Sequence, residues 1–183
     1  MTFRYLLLLN TTLLFFIIAC TQGDKSYKYD SIDYWISKKL NLSNILKNES
    51  KKDIEYFQKC KKADFKIITY IDGNCPKCFE KLVEWETIIK DYENLNICFY
   101  FYIYSYDFGK IENRLKIASF SFPVIMRSKN DLFVLNPGLE DLAYRSFLLD
   151  SKDVILLVGS PLLNREMRYL YDNIIFYNND FHL

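Results

Sequence analysis

Apolar positions change period sharply within one stretch of the chain. Residues 65–71 read Phe-Lys-Ile-Ile-Thr-Tyr-Ile, a short run rich in β-branched and aromatic side chains, which predicts a buried strand. Asp72, Gly73 and Asn74 follow as turn formers. Beyond them Cys78, Leu82, Trp85, Ile89 and Tyr92 recur at helical spacing and mark one face of an amphipathic helix. Residues 96–106, Asn-Ile-Cys-Phe-Tyr-Phe-Tyr-Ile-Tyr-Ser-Tyr, place Cys98, Tyr100, Tyr102 and Tyr104 on one face of a strand and Ile97, Phe99, Phe101 and Ile103 on the other. Both faces are apolar or aromatic, as in a central strand covered on both sides.

The remaining pattern is coarser. Ile111, Leu115 and Ala118 predict a helix within residues 109–120, and residues 122–126 a short strand that Pro123 confines to an edge or a strand start. Residues 131–142 read as irregular or weakly helical, with a turn at Asn136-Pro137-Gly138. Residues 146–149 and 154–158 are apolar runs around the turn Asp150-Ser151-Lys152-Asp153, a hairpin pattern. Ser160 is placed to cap a final helix with Pro161 at its first position and Leu163, Met167, Leu170, Tyr171 and Ile174 on its buried face; from Asn178 the end is expected to fray. Upstream, Tyr34, Trp35, Ile36, Leu40, Leu42, Ile45 and Leu46 and a short helix over residues 53–61 suggest an extension on the domain edge. The expected class is α/β: a mixed sheet flanked by helices on both faces, with an N-terminal extension.

The first residues do not belong to that fold. Arg4 precedes an apolar run over residues 5–18, broken only by Asn10, Thr11 and Thr12 and ending in Ile17-Ile18-Ala19-Cys20. A cationic start, a short apolar centre and a small residue before a cut mark an export signal. The ending resembles the lipobox of bacterial lipoproteins. That resemblance implies cleavage before Cys20, lipidation of its sulfur and attachment to a membrane of the cell envelope, facing the periplasm or exterior. The expected organisation is a signal over 1–19, a polar tether over 20–30, the extension over 31–63 and a domain over 64–178.

Charge and composition exclude other classes. The 183 residues carry a net charge of +1, which gives no electrostatic case for nucleic acid. The sole histidine, His182, stands next to the C-terminus, which argues against Cys-His proteases and multi-histidine metal sites. Half the residues are hydrophobic, enough for a substantial core.

The chemistry sits between the first strand and its helix, in Cys75-Pro76-Lys77-Cys78. A helix opens with unpaired N–H groups and a partial positive charge, which stabilises a thiolate there. Pro76 suits the first helical position, where no N–H is needed. Cys75 is assigned as the exposed attacking thiol and Cys78 as the resolving thiol, with Lys77 as a supporting cation. Two cysteines three apart also occur as half of a zinc site. Cys98 reads as an inert buried thiol, with pairing to Cys60 left open. A thiolate metal site completed by Cys60 or Cys98 is a third alternative, suited to Zn(II) or Cu(I).

This order of elements, with CPKC opening the first helix, resembles the thioredoxin-like superfamily, and within it the membrane-anchored extracytoplasmic thiol–disulfide oxidoreductases. Phe122-Pro123-Val124 looks like their strand after the second crossover, and Ser146-Phe147-Leu148-Leu149-Asp150 like the strand opening their terminal hairpin. The resemblance implies disulfide exchange through Cys75 and Cys78 without a cofactor or metal, on a protein thiol or disulfide substrate, with a separate redox partner resetting the pair. Three positions depart from that pattern. The cis-proline of the family would fall near Tyr144-Arg145, where no proline stands; its buried acid position holds Thr69; its tryptophan before the cysteines is replaced by Gly73-Asn74. Proton transfer to and from Cys78 is then expected to run through water or Asp72. The rival expectation is a thioredoxin-like lipoprotein that binds a partner without catalysis and uses the pair as a structural staple.

Overall fold

A computed structural model describes residues 32–43, 51–140 and 145–179. The expected signal, Cys20, the tether, Tyr144 and His182 lie outside the described residues. The elements are α1 (Ile32–Trp35), α2 (Lys51–Cys60), β1 (Phe65–Asp72), α3 (Pro76–Asp91), β2 (Ile97–Tyr104), α4 (Phe108–Ile117), β3 (Val124–Arg127), α5 (Asp131–Leu135), β4 (Ser146–Asp150), β5 (Ile155–Val158) and α6 (Arg165–Asn179).

Five strands form one sheet in the order β3-β2-β1-β4-β5. β1 pairs in parallel with β2, and β2 with β3, whereas β4 runs antiparallel to both β1 and β5. The chain steps from β1 to β2 to β3 in one direction. Right-handed crossovers therefore put α3 and α4 on the same face. On that face Phe79, Leu82, Trp85 and Ile88 of α3, Ile111 of α4 and Tyr171 and Ile175 of α6 meet Ile67, Phe99, Phe101 and Ile103. Trp35, Phe57 and Leu132, from α1, α2 and α5, cover Ile68, Tyr100 and Tyr102 on the other. The alternation expected along β2 thus divides its side chains between two cores.

The polar groups these strands carry inward find partners. Tyr102 donates its hydroxyl to the Lys129 carbonyl at 3.0 Å. β3 pairs with β2 only from Phe101 onward, which leaves the Phe99 backbone open. The Tyr56 hydroxyl of α2 fills that gap, accepting from Phe99 N–H at 3.1 Å and donating to its carbonyl at 3.2 Å. Lys66 is buried on β1 and pairs with Asp153 at 2.5 Å, with a second bond to the Ser151 carbonyl at 3.0 Å.

Residues upstream of β1 close the exposed β5 edge. Ser37 N–H donates to Ile155 O, Ile155 N–H to Lys38 O and Leu40 N–H to Asp153 O, each at 2.8 Å. An edge paired in this way no longer offers a template for another chain. Trp35 packs into the core beneath it. Cys60 at the end of α2 is disulfide-bonded to Cys98 of β2, with Cα atoms 5.2 Å apart. Cys98 is therefore not the inert free thiol expected: α2 crosses the sheet where its last residue faces the inward side chain of Cys98.

The last helix also departs from expectation. Ser160 and Pro161 form a tight turn, with Leu163 N–H bonded to Ser160 O at 3.0 Å, rather than the helix start. Asn164 caps α6 instead, accepting from Met167 N–H at 2.7 Å. The later start turns the helix, so Leu163 and Leu170 are exposed and Tyr171 and Ile175 are buried.

Candidate functional site

The C-terminal end of β1 and the first turn of α3 bring the expected residues together. Cys75 is the N-cap of α3, with extended backbone at φ −94° and ψ 111°, and Pro76 opens the helix. Cys75 N–H bonds to Asp72 O at 3.1 Å, and Cys78 N–H returns to Cys75 O at 3.2 Å. Both cysteines are unpaired thiols and partly exposed. Lys77 is exposed on the same turn. The cysteines thus occupy the cap and first turn of one helix, as their spacing predicts.

The turn before them is held from three sides. The Asp72 carboxylate accepts from Asn74 N–H at 2.9 Å and from its side-chain amide at 3.1 Å, a local turn that fits the Asp-Gly-Asn sequence. Gly73 N–H bonds to Tyr104 O at 2.7 Å, and Arg114 of α4 donates to Gly73 O at 3.1 Å. A Cβ at Gly73 would stand 2.8 Å from Tyr104 O and 2.8 Å from Ile111 Cδ1. Close approach of β2 and α4, rather than an unusual φ, is what requires glycine here.

Six residues before Cys75, β1 carries a neutral polar contact rather than an acid. Thr69 and Ser146 are both buried, and their hydroxyls lie 3.2 Å apart across β1 and β4. Beside it Tyr70 N–H bonds to Arg145 O at 2.8 Å. The Arg145 guanidinium lies 4.9 Å from the Tyr70 ring centre and 5.8 Å from that of Phe133. Tyr70 and Phe133 stack at 4.6 Å, and Asn130 donates to the Tyr70 hydroxyl at 3.2 Å. Tyr104 and the exposed Tyr106 join hydroxyl to hydroxyl at the same end of the sheet.

The surroundings of Cys78 act on its ionisation. Burial pushes the Cys78 thiol up to about 11, helped by its hydrogen bond to Cys75 and the charges of Cys75 and Asp72; Arg145 opposes them. Cys78 is thus protonated at neutral pH. Asp72 raises Cys78 through its charge while its own carboxylate is occupied by Asn74.

Sequence reasoning missed Arg145, Tyr70 and Phe133. Arg145 sits directly before the hairpin strand β4, where its guanidinium lies over the Tyr70 and Phe133 rings. Cys60 and Cys98 belong to a different place. Cys98 is in register with Lys66, six residues before Asp72 on β1, so the two cysteine pairs are roughly 20 Å apart along the strands. The metal reading that recruits Cys60 or Cys98 does not fit this separation or their mutual bond. Among the described residues no three His, Cys, Asp or Glu side chains converge as ligands.

No protein-family model matches the chain, and no curated sequence matches it. Its structure is similar to the thioredoxin domain of a thiol-disulfide oxidoreductase from Bacteroides vulgatus, with a TM-score of 0.53, 8% identity and coverage of 63% of this chain and 81% of that one. It is also similar to a thiol:disulfide interchange protein from Bacteroides sp., with a TM-score of 0.51, 9% identity and coverage of 64% and 76%. At these identities the likeness is one of fold, and the fold is thioredoxin-like.

Proposed function

We propose that this thioredoxin-like protein is a thiol–disulfide oxidoreductase acting through Cys75 and Cys78. The observation that carries the proposal is the placement of two unpaired, partly exposed thiols on the cap and first turn of α3. Cys75 thiolate attacks a partner disulfide, one partner sulfur leaves as thiolate, and a mixed disulfide forms on Cys75. Cys78 loses its proton to solvent and attacks Cys75 Sγ. The mixed bond breaks, the second partner thiolate leaves and takes up a proton, and a Cys75–Cys78 disulfide remains. Two electrons have passed to the partner. A separate dithiol protein then reduces the Cys75–Cys78 bond by the same exchange, ends as a disulfide itself and returns the pair to its starting state, and Pro76 and Lys77 support the opening turn.

The site of action is proposed to lie outside the cytoplasm, with the chain tethered by lipid on Cys20. The apolar run before Cys20 and the buried Cys60–Cys98 bond support this, because structural disulfides persist in oxidising compartments. Among the described residues no helix is long and apolar enough to cross a membrane.

The test is a disulfide-reduction assay on the Cys75→Ser and Cys78→Ser proteins. Loss of turnover in both, with a trapped mixed disulfide in Cys78→Ser, is the expected result. The binding-module reading, in which the pair is a staple, finds support in the neutral Thr69–Ser146 contact at the acid position. Wild-type turnover in either variant would favour it.

A further inference from the structure

We propose that Arg114 is a positioning residue for closure of the Cys75–Cys78 disulfide: from α4 it clasps the cysteine segment at both ends, by the Gly73 carbonyl on one side and the Phe79 ring on the other. This rests on the disulfide-exchange reading above and adds to it a residue outside the cysteine motif.

The two contacts bracket the pair. Arg114 Nη1 donates to Gly73 O at 3.1 Å, on the turn just before Cys75. The guanidinium lies 5.3 Å from the ring centre of Phe79, the residue that follows Cys78. The side chain is half-buried, and among the described residues no carboxylate pairs with it. A cation partly withdrawn from water without a counter-charge is held by the groups it does meet, and here both belong to the cysteine turn and its helix. Phe79 is buried in the same core that Cys78 packs against, so the seat is fixed.

The clasp acts on one peptide group. Gly73 C=O and Asn74 N–H lie in a single plane; Arg114 holds the first, and the Asp72 carboxylate holds the second at 2.9 Å. Glycine brings no side chain to restrain that plane, so its hydrogen bonds set it. The frame behind Arg114 is well anchored. Ile111, one turn earlier on α4, is fully buried, and Asp107 caps the helix by accepting Lys110 N–H at 3.0 Å. Only Asn74 separates the held carbonyl from Cys75 at the N-cap of α3. The step served is resolution. Cys78 thiolate attacks Cys75 Sγ, the bond between them forms, and the bond from Cys75 to the partner breaks with its electron pair leaving on the partner sulfur. Attack along the line of a breaking bond is favoured by a turn that cannot drift.

The experiment measures the effective concentration of the two thiols toward each other, by equilibration with reduced and oxidised glutathione and counting of alkylated thiols by mass. Arg114→Met, which keeps the reach and loses the donor, is expected to lower it about threefold to tenfold. Arg114→Lys, which restores a donor, should recover at least half of that loss on a logarithmic scale. Phe79→Leu should lower it in the parent and add nothing in Arg114→Met, because both changes open the same clasp. Ile175→Val trims the same core from α6; it should lower the urea midpoint and leave the effective concentration unchanged, which separates positioning from stability. An unchanged value in Arg114→Met, a lysine variant no better than methionine, additive losses with Phe79→Leu, or an equal fall in Ile175→Val would each overturn the role of Arg114 while leaving exchange intact. A parent in which Cys75 and Cys78 form no disulfide at any glutathione ratio would instead overturn the exchange reading.

Discussion

Breaking the Cys60–Cys98 bond should cost the fold a large share of its stability without touching the candidate redox pair. The bond closes a loop of 38 residues between α2 and β2. In the chain-entropy treatment, releasing a loop of that length returns about 4 kcal/mol to the unfolded state. For a chain of this size that corresponds to a melting temperature lower by roughly 10 °C. Both cysteines are buried, at 2% and 3% exposure, so the bond resists mild reductant until the fold opens. The cleanest comparison uses a Cys75→Ser/Cys78→Ser background, in which the oxidised and reduced forms differ by this bond alone. Urea titration of the two forms gives the difference in midpoint and slope. A difference of less than about 1 kcal/mol would refute the claim that the extension is covalently stapled to the sheet. So would two free thiols counted in the denatured, unreduced protein.

Three further outcomes follow from the packing and the charges. Gly73→Ala should destabilise by about 1–3 kcal/mol, because the added methyl meets Tyr104 O and Ile111, and should slow alkylation of Cys75 by displacing the turn; unchanged urea midpoint and alkylation rate would contradict the close approach. Asp153→Asn should cost about 3 kcal/mol by leaving the Lys66 ammonium buried without its counter-charge, whereas Lys66→Met should fall within about 1 kcal/mol of the parent; equal effects would show that the pair is not buried as described. Asparagine is chosen because Asp153 holds a positive φ of 68°, which that residue tolerates. The reduced protein should lose stability in alkali: the folded Cys78 thiol ionises near 11 against an ordinary 9.0, so rising pH ionises the unfolded chain first, and the contribution present below about 9 is gone above about 11. Urea midpoints measured across that window should fall more steeply for the parent than for Cys78→Ser.

What the sequence made legible was what local periodicity controls. Leu82 and Trp85 of α3, Tyr92 at its C-cap, the two faces of β2 and the hairpin around residues 150–153 lie where their spacing places them. So do Cys75 and Cys78, because a strand end, a turn and a proline fix the helix start within a few residues. The Cys60–Cys98 bond was beyond reach because it depends on how α2 crosses the sheet, a contact set by tertiary packing. The start of α6 was misjudged because Ser160 and Asn164 are both competent caps, and Pro161 suits a tight turn as well as a first helical residue. Arg145 gave no periodic signal at all. Its seat is made by Tyr70 and Phe133, which stand on separate elements and meet only in the folded chain.

The most direct test of the central claim is the equilibrium redox titration of Cys75–Cys78 in defined thiol–disulfide buffers, read by alkylation and mass. A freely exchanging pair should titrate reversibly with a midpoint between about −120 and −270 mV, the span of known exchange catalysts. A pair that stays oxidised below about −300 mV, or that never closes to a disulfide, would contradict it.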